Sequence, residues 1–328
     1  MASVSRRRFL QRTMAVGASG LLPGLHPTAF AQAYPTRPVR YVVAYPPGGT
    51  SDVVARAITP GLSSILGQQF VVDNRPGGGG VIAIEAVAKA PADGYTLLHT
   101  SVSFLTVTPQ LTKVSYDPFK DLDPVAFIGT NINVLVVNPE VPARTLREFI
   151  DYARANPGKL YYASSGSGTG AHILGEYFKQ MTGIQAEHVP YKGSAPAMTD
   201  LLAGRTHFML DPAVTAQVRS GKLRALAISG AKSLELLPGV PPIETVLPNW
   251  NPPQWYNFIS APANTPDAIK NRLNGATATV LADPKVIKLL RDNNYEPGTA
   301  TPEEIRARLK ADYASTGEIL RANNIKLD

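Results

Sequence analysis

The chain predicts an α/β fold in two halves, on three observations. Short β-branched and aromatic runs alternate with helical segments, the signature of a mostly parallel sheet. Two strand-to-helix connections, about 120 residues apart, share glycine- and hydroxyl-rich turns. The composition is 44% hydrophobic and 17% charged over 328 residues, ordinary for a globular protein and long enough for two domains.

The first unit is the most informative. Val39, Tyr41, Val42 and Val43 read as a buried strand. Pro46-Pro47-Gly48-Gly49 breaks it, and Thr50, Ser51 and Asp52 open a helix. A strand, a glycine turn and a helix N-terminus put free backbone N–H groups and partial positive charge at one point, which suits an anion. Pro60-Gly61 should kink or break this helix. Next come a strand at 69–73, the loop Asn74 to Gly80, a helix at 81–89, and a strand at 95–100 that ends near Ser101 and Ser103. Strands at 125–128 and 134–137 and a helix at 146–155 follow.

The counterpart of the first unit runs from Leu160 through Ser164, Gly166, Ser167, Gly168 and Thr169 to His172, with a helix at 173–181. Beyond it are Val189-Pro190-Tyr191-Lys192-Gly193, a helix at 195–203, a strand at 208–210 reaching Asp211, and a strand at 223–229. A Pro-rich stretch covers 237–253. A strand at 255–261 returns to the first half, and helices at 266–281, 284–293 and 302–322 each begin near a proline.

The bulk numbers exclude several classes. The first 33 residues hold four arginines and no acid; the remainder carries 28 basic and 25 acidic residues. That near-neutral balance, with no basic run among aromatics, predicts no nucleic-acid partner. Cysteine is absent, so no disulfide, thiolate nucleophile or Cys-ligated zinc exists. His99, His172, His188 and His207 show no metal spacing, and no metal or cofactor is expected. Arg6-Arg7-Arg8-Phe9-Leu10, a weakly apolar run and Ala31-Gln32-Ala33 form an export signal of the twin-arginine kind. The expected location is the periplasm. No later segment is long and apolar enough to span a bilayer.

In order along the chain, Pro47-Gly48-Gly49 with Asp52 and Arg56, Asp73-Asn74-Arg75-Pro76-Gly77, Asp93-Gly94-Tyr95, Ser164-x-Gly166-x-Gly168 with His172, Val189-Pro190-Tyr191-Lys192-Gly193 and Gly221-Lys222-Leu223 resemble the Bug receptors, the extracytoplasmic substrate-binding proteins of tripartite tricarboxylate transporters. The resemblance covers nearly everything from Pro38 to Ile325. It implies a two-domain clamp of the type II periplasmic binding protein kind, each domain a mostly parallel sheet flanked by helices, with the ligand in the interdomain cleft. It implies a small carboxylate ligand, held by backbone amides, hydroxyls and waters, and membrane transporter subunits as partners. Domain 1 would comprise 34–131 and 254–328, domain 2 residues 132–253, in a monomer. Where the family commonly has Gly-Ala-Gly-Gly-Asn after Arg-Pro, this chain has four glycines and Val81.

The expected ligand-binding set is Tyr45, Pro47, Gly48, Gly49, Thr50, Asp52, Ser101, Ser103, Ser164, Gly166, Ser167, Gly168, Thr169, His172 and Asp211. Asp52 would repel a carboxylate and so suits helix capping or loop shaping better than contact. His172 divides between packing and binding. Asp211 would suit a ligand ammonium. Tyr45 and Phe104 can wall the pocket, and Lys192 reads as a solvated loop charge. Two enzymatic alternatives rest on the same residues. One pairs Ser164 or Ser167 with His172, without a nucleophile elbow. The other reads Gly166-x-Gly168-x-x-Ala171, with Glu187 beyond it, as a dinucleotide fingerprint.

Overall fold

A computed structural model describes residues 34–231, 233–322 and 325; the export signal expected at 1–33 lies outside them. In chain order, β1 (Val39–Val43) leads into α1 (Thr50–Leu66), and β2 (Phe70–Asn74) into α2 (Val81–Ala88). β3 (Thr96–Ser101) leads into two short turns, α3 (Ser103–Thr106) and α4 (Thr108–Leu111). β4 (Leu122–Asn131) and β5 (Asn133–Val137) follow with one residue between them. Then come α5 (Leu146–Ala155), β6 (Leu160–Ser164), α6 (Gly170–Thr182), β7 (Ala186–Pro190), α7 (Ser194–Leu202), β8 (Phe208–Asp211), α8 (Thr215–Arg219) and β9 (Arg224–Ser229). The chain ends with β10 (Tyr256–Pro262), α9 (Asp267–Leu281), α10 (Pro284–Arg291), β11 (Tyr295–Pro297) and α11 (Pro302–Ala322).

These strands form two sheets. The larger has the order β11-β4-β10-β3-β1-β2, the smaller β7-β6-β8-β5-β9. β1 pairs in parallel with β2 and β3, and β6 with β7 and β8. The exceptions are β10 and β11 in the larger sheet and β5 in the smaller, all antiparallel to their neighbours. β5 and β10 are the strands that open each passage of the chain from one sheet to the other. Tyr41, Val42 and Val43 are fully buried, as an inner parallel strand covered on both faces requires. α9 and α11 lie against β4 of the larger sheet, and α9 also against α1.

α1 does not break at Pro60. It runs as one helix from Thr50 to Leu66. The ring removes only the hydrogen bond to the Arg56 carbonyl, and Arg56 and Pro60 are both exposed, so water can take that carbonyl. Gly61 serves a helix crossing: a Cβ there would lie 2.8 and 3.0 Å from the Val280 methyls of α9. The Pro-Gly pair therefore does not break the helix, and its glycine marks a close crossing.

Candidate functional site

The carboxyl ends of β1, β3, β4, β6 and β8 all open toward one cleft between the sheets, because parallel strands of one direction end on one edge. A cavity of about 240 Å³ lies there, lined by the loops after these strands and by Trp255 and Asn257 at the start of β10. Three helices, α1, α6 and α7, begin at this cavity, through Gly49-Thr50-Ser51, Gly170-Ala171 and Gly193-Ser194-Ala195.

Their N-termini share a feature. The N-cap residues Gly49, Thr169 and Gly193 make no side-chain capping bond. Some helices do carry such a cap, Thr145 accepting from the Glu148 N–H at 3.2 Å and Asp283 from the Lys285 N–H at 2.8 Å. Helices α2 and α9 also start without one, so what sets these three apart is that they meet at one cavity. At the cleft, then, first-turn N–H groups of three helices are left for something other than a cap. Their dipoles add partial positive charge at the same place. Among the described residues lining the cavity, the charged side chains are Lys192, which is exposed, and Asp211.

Tyr45, Pro47, Gly49, Thr50, Ser101 and Asp211 line the cavity as the sequence predicts. Gly166, Ser167 and Thr169 line a second, wider chamber that shares Tyr45, Pro46, Ser165, Lys192 and Gly193 with the first. Of the other predicted residues, Gly48 is exposed and lines neither chamber, and Asp52, Ser103, Ser164, Gly168 and His172 are buried. Asp52 is a hub beneath the first loop: its carboxylate accepts from the Gly48 N–H at 2.9 Å, Asn74 Nδ2 at 2.9 Å and Arg56 Nε at 3.0 Å. Burial would raise this carboxyl, but the bonds from Arg56, Gly48 and Asn74 outweigh it and hold the pKa below its usual value. Asn74 also donates to the Tyr45 carbonyl at 3.0 Å, so both ends of the loop are tied to one side chain pair. Ser103 is buried behind Ser101, with the two hydroxyls 3.0 Å apart. Burial pushes the Tyr45 phenol up to about 12, against its hydrogen bonds to Ser101 and Ser103 and with help from the Asp211 charge.

The second loop is stabilised from below by a histidine pair. His172 Nδ1 accepts the Gly168 N–H at 3.0 Å, and its ring stacks on His188 at 3.9 Å. His188 Nε2 lies 2.7 Å from Ser164 Oγ, which also accepts the Gly166 N–H at 3.1 Å. Burial depresses the His188 pKa to about 3, aided by His172 and Lys179, so the ring is neutral. Ser164 is fully buried, lines neither chamber and has His188 rather than His172 as its histidine partner, so this contact shapes the loop. The dinucleotide reading fails on register. Glu187 pairs with Tyr161, three residues before the loop end of β6 at Ser164, roughly 10 Å from where a ribose would sit.

Asp211 lies in the cavity wall with 2% of its surface exposed, accepting from the Ala213 N–H and Ser194 Oγ, each at 2.8 Å. Burial raises its pKa to about 6, against those two bonds. Sequence reasoning missed Asn131, Asn133, Ser194, Trp255 and Asn257. Ser194 was findable, since Tyr191-Lys192-Gly193 before a helix repeats the strand–glycine–helix signal of the other two units. Trp255 lies flat against the start of α6: a Cβ on Gly170 would meet its ring at 2.9 to 3.2 Å. Asn257 Nδ2 reaches Ser51 Oγ at 3.3 Å and His99 Nε2 at 2.7 Å. Both approach on an antiparallel return strand, which carries no turn motif of its own. Among the described residues no helix is long and apolar enough to cross a membrane, and no cluster of side chains suits a metal.

Comparison with known proteins agrees with this architecture. The family model described as the tripartite tricarboxylate transporter family receptor matches residues 54–325. Protein BugT of Bordetella pertussis is 36% identical over 312 residues, 93% of this chain and 94% of that one. Rpa4515 of R. palustris, solved with adipate, superposes with a TM-score of 0.85 at 36% identity, covering 90% of this chain and 100% of that one. MatC of Rhodopseudomonas palustris, solved with bound malate, gives a TM-score of 0.80 at 27% identity over 88% of this chain and 100% of that one. With matching sequence motifs, a matching two-sheet clamp and a family model spanning most of its length, this chain belongs to the tripartite tricarboxylate transporter receptor family.

Proposed function

We propose that the protein is a periplasmic receptor that captures a small carboxylate in the cleft, for uptake or sensing through a tripartite-type system. The observation that carries this is the convergence of three uncapped helix N-termini on one cavity with a single exposed cation at its rim. Such a site binds an anion through main-chain N–H groups. The acids bound by Rpa4515 and MatC support the ligand class. In this reading the two sheets mark the two domains, residues 34–131 with 254–328 and residues 132–253, and the ligand draws them together. Backbone groups of Gly49 to Ser51, Gly170, Ala171, Ser194 and Ala195 hold the carboxylate. Hydroxyls of Ser101, Ser167 and Thr169 and the Tyr45 ring contact its body. Export follows the twin-arginine route, and the mature chain works as a monomer that delivers its ligand to membrane subunits without chemical change.

A melting-shift screen over mono-, di- and tricarboxylates, with NAD as a comparison, tests this. A binding acid at one hundred times its dissociation constant adds about 2.7 kcal/mol of stability, a shift of several degrees. If no acid moves the melt and NAD does, or an acid is consumed on incubation, the receptor reading is wrong.

A further inference from the structure

The wider chamber noted above offers more room than a small acid reaching Ser167 and Thr169 would fill. The inner cavity of about 240 Å³ already exceeds the volume of a short diacid, whereas the outer chamber measures about 820 Å³. Its floor is apolar. The Phe104 ring lies directly on the Gly80 backbone: a Cβ there would sit 2.6 to 2.8 Å from three ring atoms, and φ is +89°. The Tyr45 and Phe104 rings stand 5.0 Å apart, tilted by 33°. The four glycines from 77 to 80 all have positive φ, so the wall opposite is bare main chain. That wall is pinned, with Thr108 Oγ1 donating to the Gly79 carbonyl at 3.0 Å. Val81, partly buried, packs against the core beside it. Tyr45 and Pro46 border both chambers, so one ligand can extend from the inner into the outer.

We infer that the outer chamber is a subsite for the apolar body of the ligand, and that the preferred substrates are carboxylates bearing an aryl group. The inference rests on the carboxylate reading of the inner cavity. The head group stays on the helix N-termini. The aryl ring lies against the half-buried Tyr45 ring, which the buried Phe104 backs at 5.0 Å, in the offset arrangement by which aromatic faces attract.

Succinate and 2-phenylsuccinate share a head and differ by one phenyl group, so titration calorimetry on this pair isolates the subsite. Wild-type protein should bind phenylsuccinate about tenfold or more tightly than succinate, from the area buried by the ring. Thr112, exposed at the mouth of the chamber, provides the blocking variant. Thr112→Trp should erase the preference and leave succinate binding as in wild type. Equal affinities in the wild type overturn the subsite and leave the receptor reading standing. So does a Thr112→Trp variant, folded by circular dichroism, that weakens both acids alike. If neither these two nor any acid of the screen binds, the receptor reading falls and the subsite with it.

Discussion

Removing the Asp52 carboxylate should cost the protein both stability and ligand affinity, although Asp52 lines neither chamber. Its side chain is 4% exposed, and it receives the Gly48 N–H, Asn74 Nδ2 and Arg56 Nε at 2.9 to 3.0 Å. A hydrogen bond to a charged acceptor is worth about 1.5–3 kcal/mol. Arg56 is 54% exposed, so solvent screens its share and it adds little. The Gly48 and Asn74 donors carry the rest, and because they share one acceptor their losses do not add fully. Asp52→Ala should therefore destabilise by about 3 kcal/mol, a fall in melting temperature of roughly 5–10 °C. The loop from Tyr45 to Gly49 loses its tie at Gly48, and Asn74, which holds the Tyr45 carbonyl, loses one of its anchors, so binding then has to order the loop. Affinity for a carboxylate should drop roughly tenfold. Urea unfolding and titration calorimetry on the same sample read both effects. The carboxyl is held below its ordinary pKa, so its contribution is present above the usual carboxylate range and fades as pH falls through the lowered value. Acid titration of Asp52→Ala should lack that decline. A variant that melts with the wild type removes the hub argument. One that keeps full stability but loses all binding places Asp52 in contact with the ligand instead.

Asp211 should show the opposite pH dependence: its folded pKa of about 6 exceeds the unfolded value, so the native state loses up to about 3 kcal/mol as pH rises from 4 through 6. Asp211→Asn should abolish that slope in urea midpoints. Gly49→Ala should leave melting and binding nearly unchanged, since φ is −78° and the nearest atom to the new Cβ is the Pro46 carbonyl oxygen at 3.7 Å. Gly170→Ala should instead displace Trp255 and cost about 1–3 kcal/mol, read as a lowered melting temperature and a changed tryptophan emission. Lys192→Ala should weaken binding by less than about threefold and barely alter its salt dependence, because an exposed rim charge is screened.

Sequence pattern picked out loops that line the cavity where a strand, a glycine turn and a helix are contiguous. Helix α5 and helix α11 fell at the predicted residues, and α6 began three residues before the predicted start, at Gly170. What stayed hidden depends on partners far along the chain. Pro60-Gly61 reads as a break until Val280 is seen against it. β11, three residues long, has no periodicity to detect. Trp255 and Asn257 reach the cavity only because β10 is antiparallel, a direction that a local pattern does not encode. Of the two adjacent glycines in the first loop only Gly48 has positive φ, at +84°, a difference the sequence does not mark. Asp52, Ser164 and His172 are polar residues near the right loops, and periodicity cannot say on which side of a loop a side chain lies.

The three uncapped helix starts have a bearing on how such a receptor changes over evolutionary time. A main-chain N–H cannot be removed by point mutation, save to proline, so charge recognition is carried by the path of the backbone. The side chains around it, Ser101, Asp211 and the ring of Tyr45 among them, are then free to vary without forfeiting the anion. Duplicated copies of such a gene can diverge toward new acids by ordinary substitutions, each intermediate still binding some carboxylate. The inherited component is the fold's offer of a negative-charge seat, and the heritable variation lies in what the rest of the molecule in that seat is allowed to be.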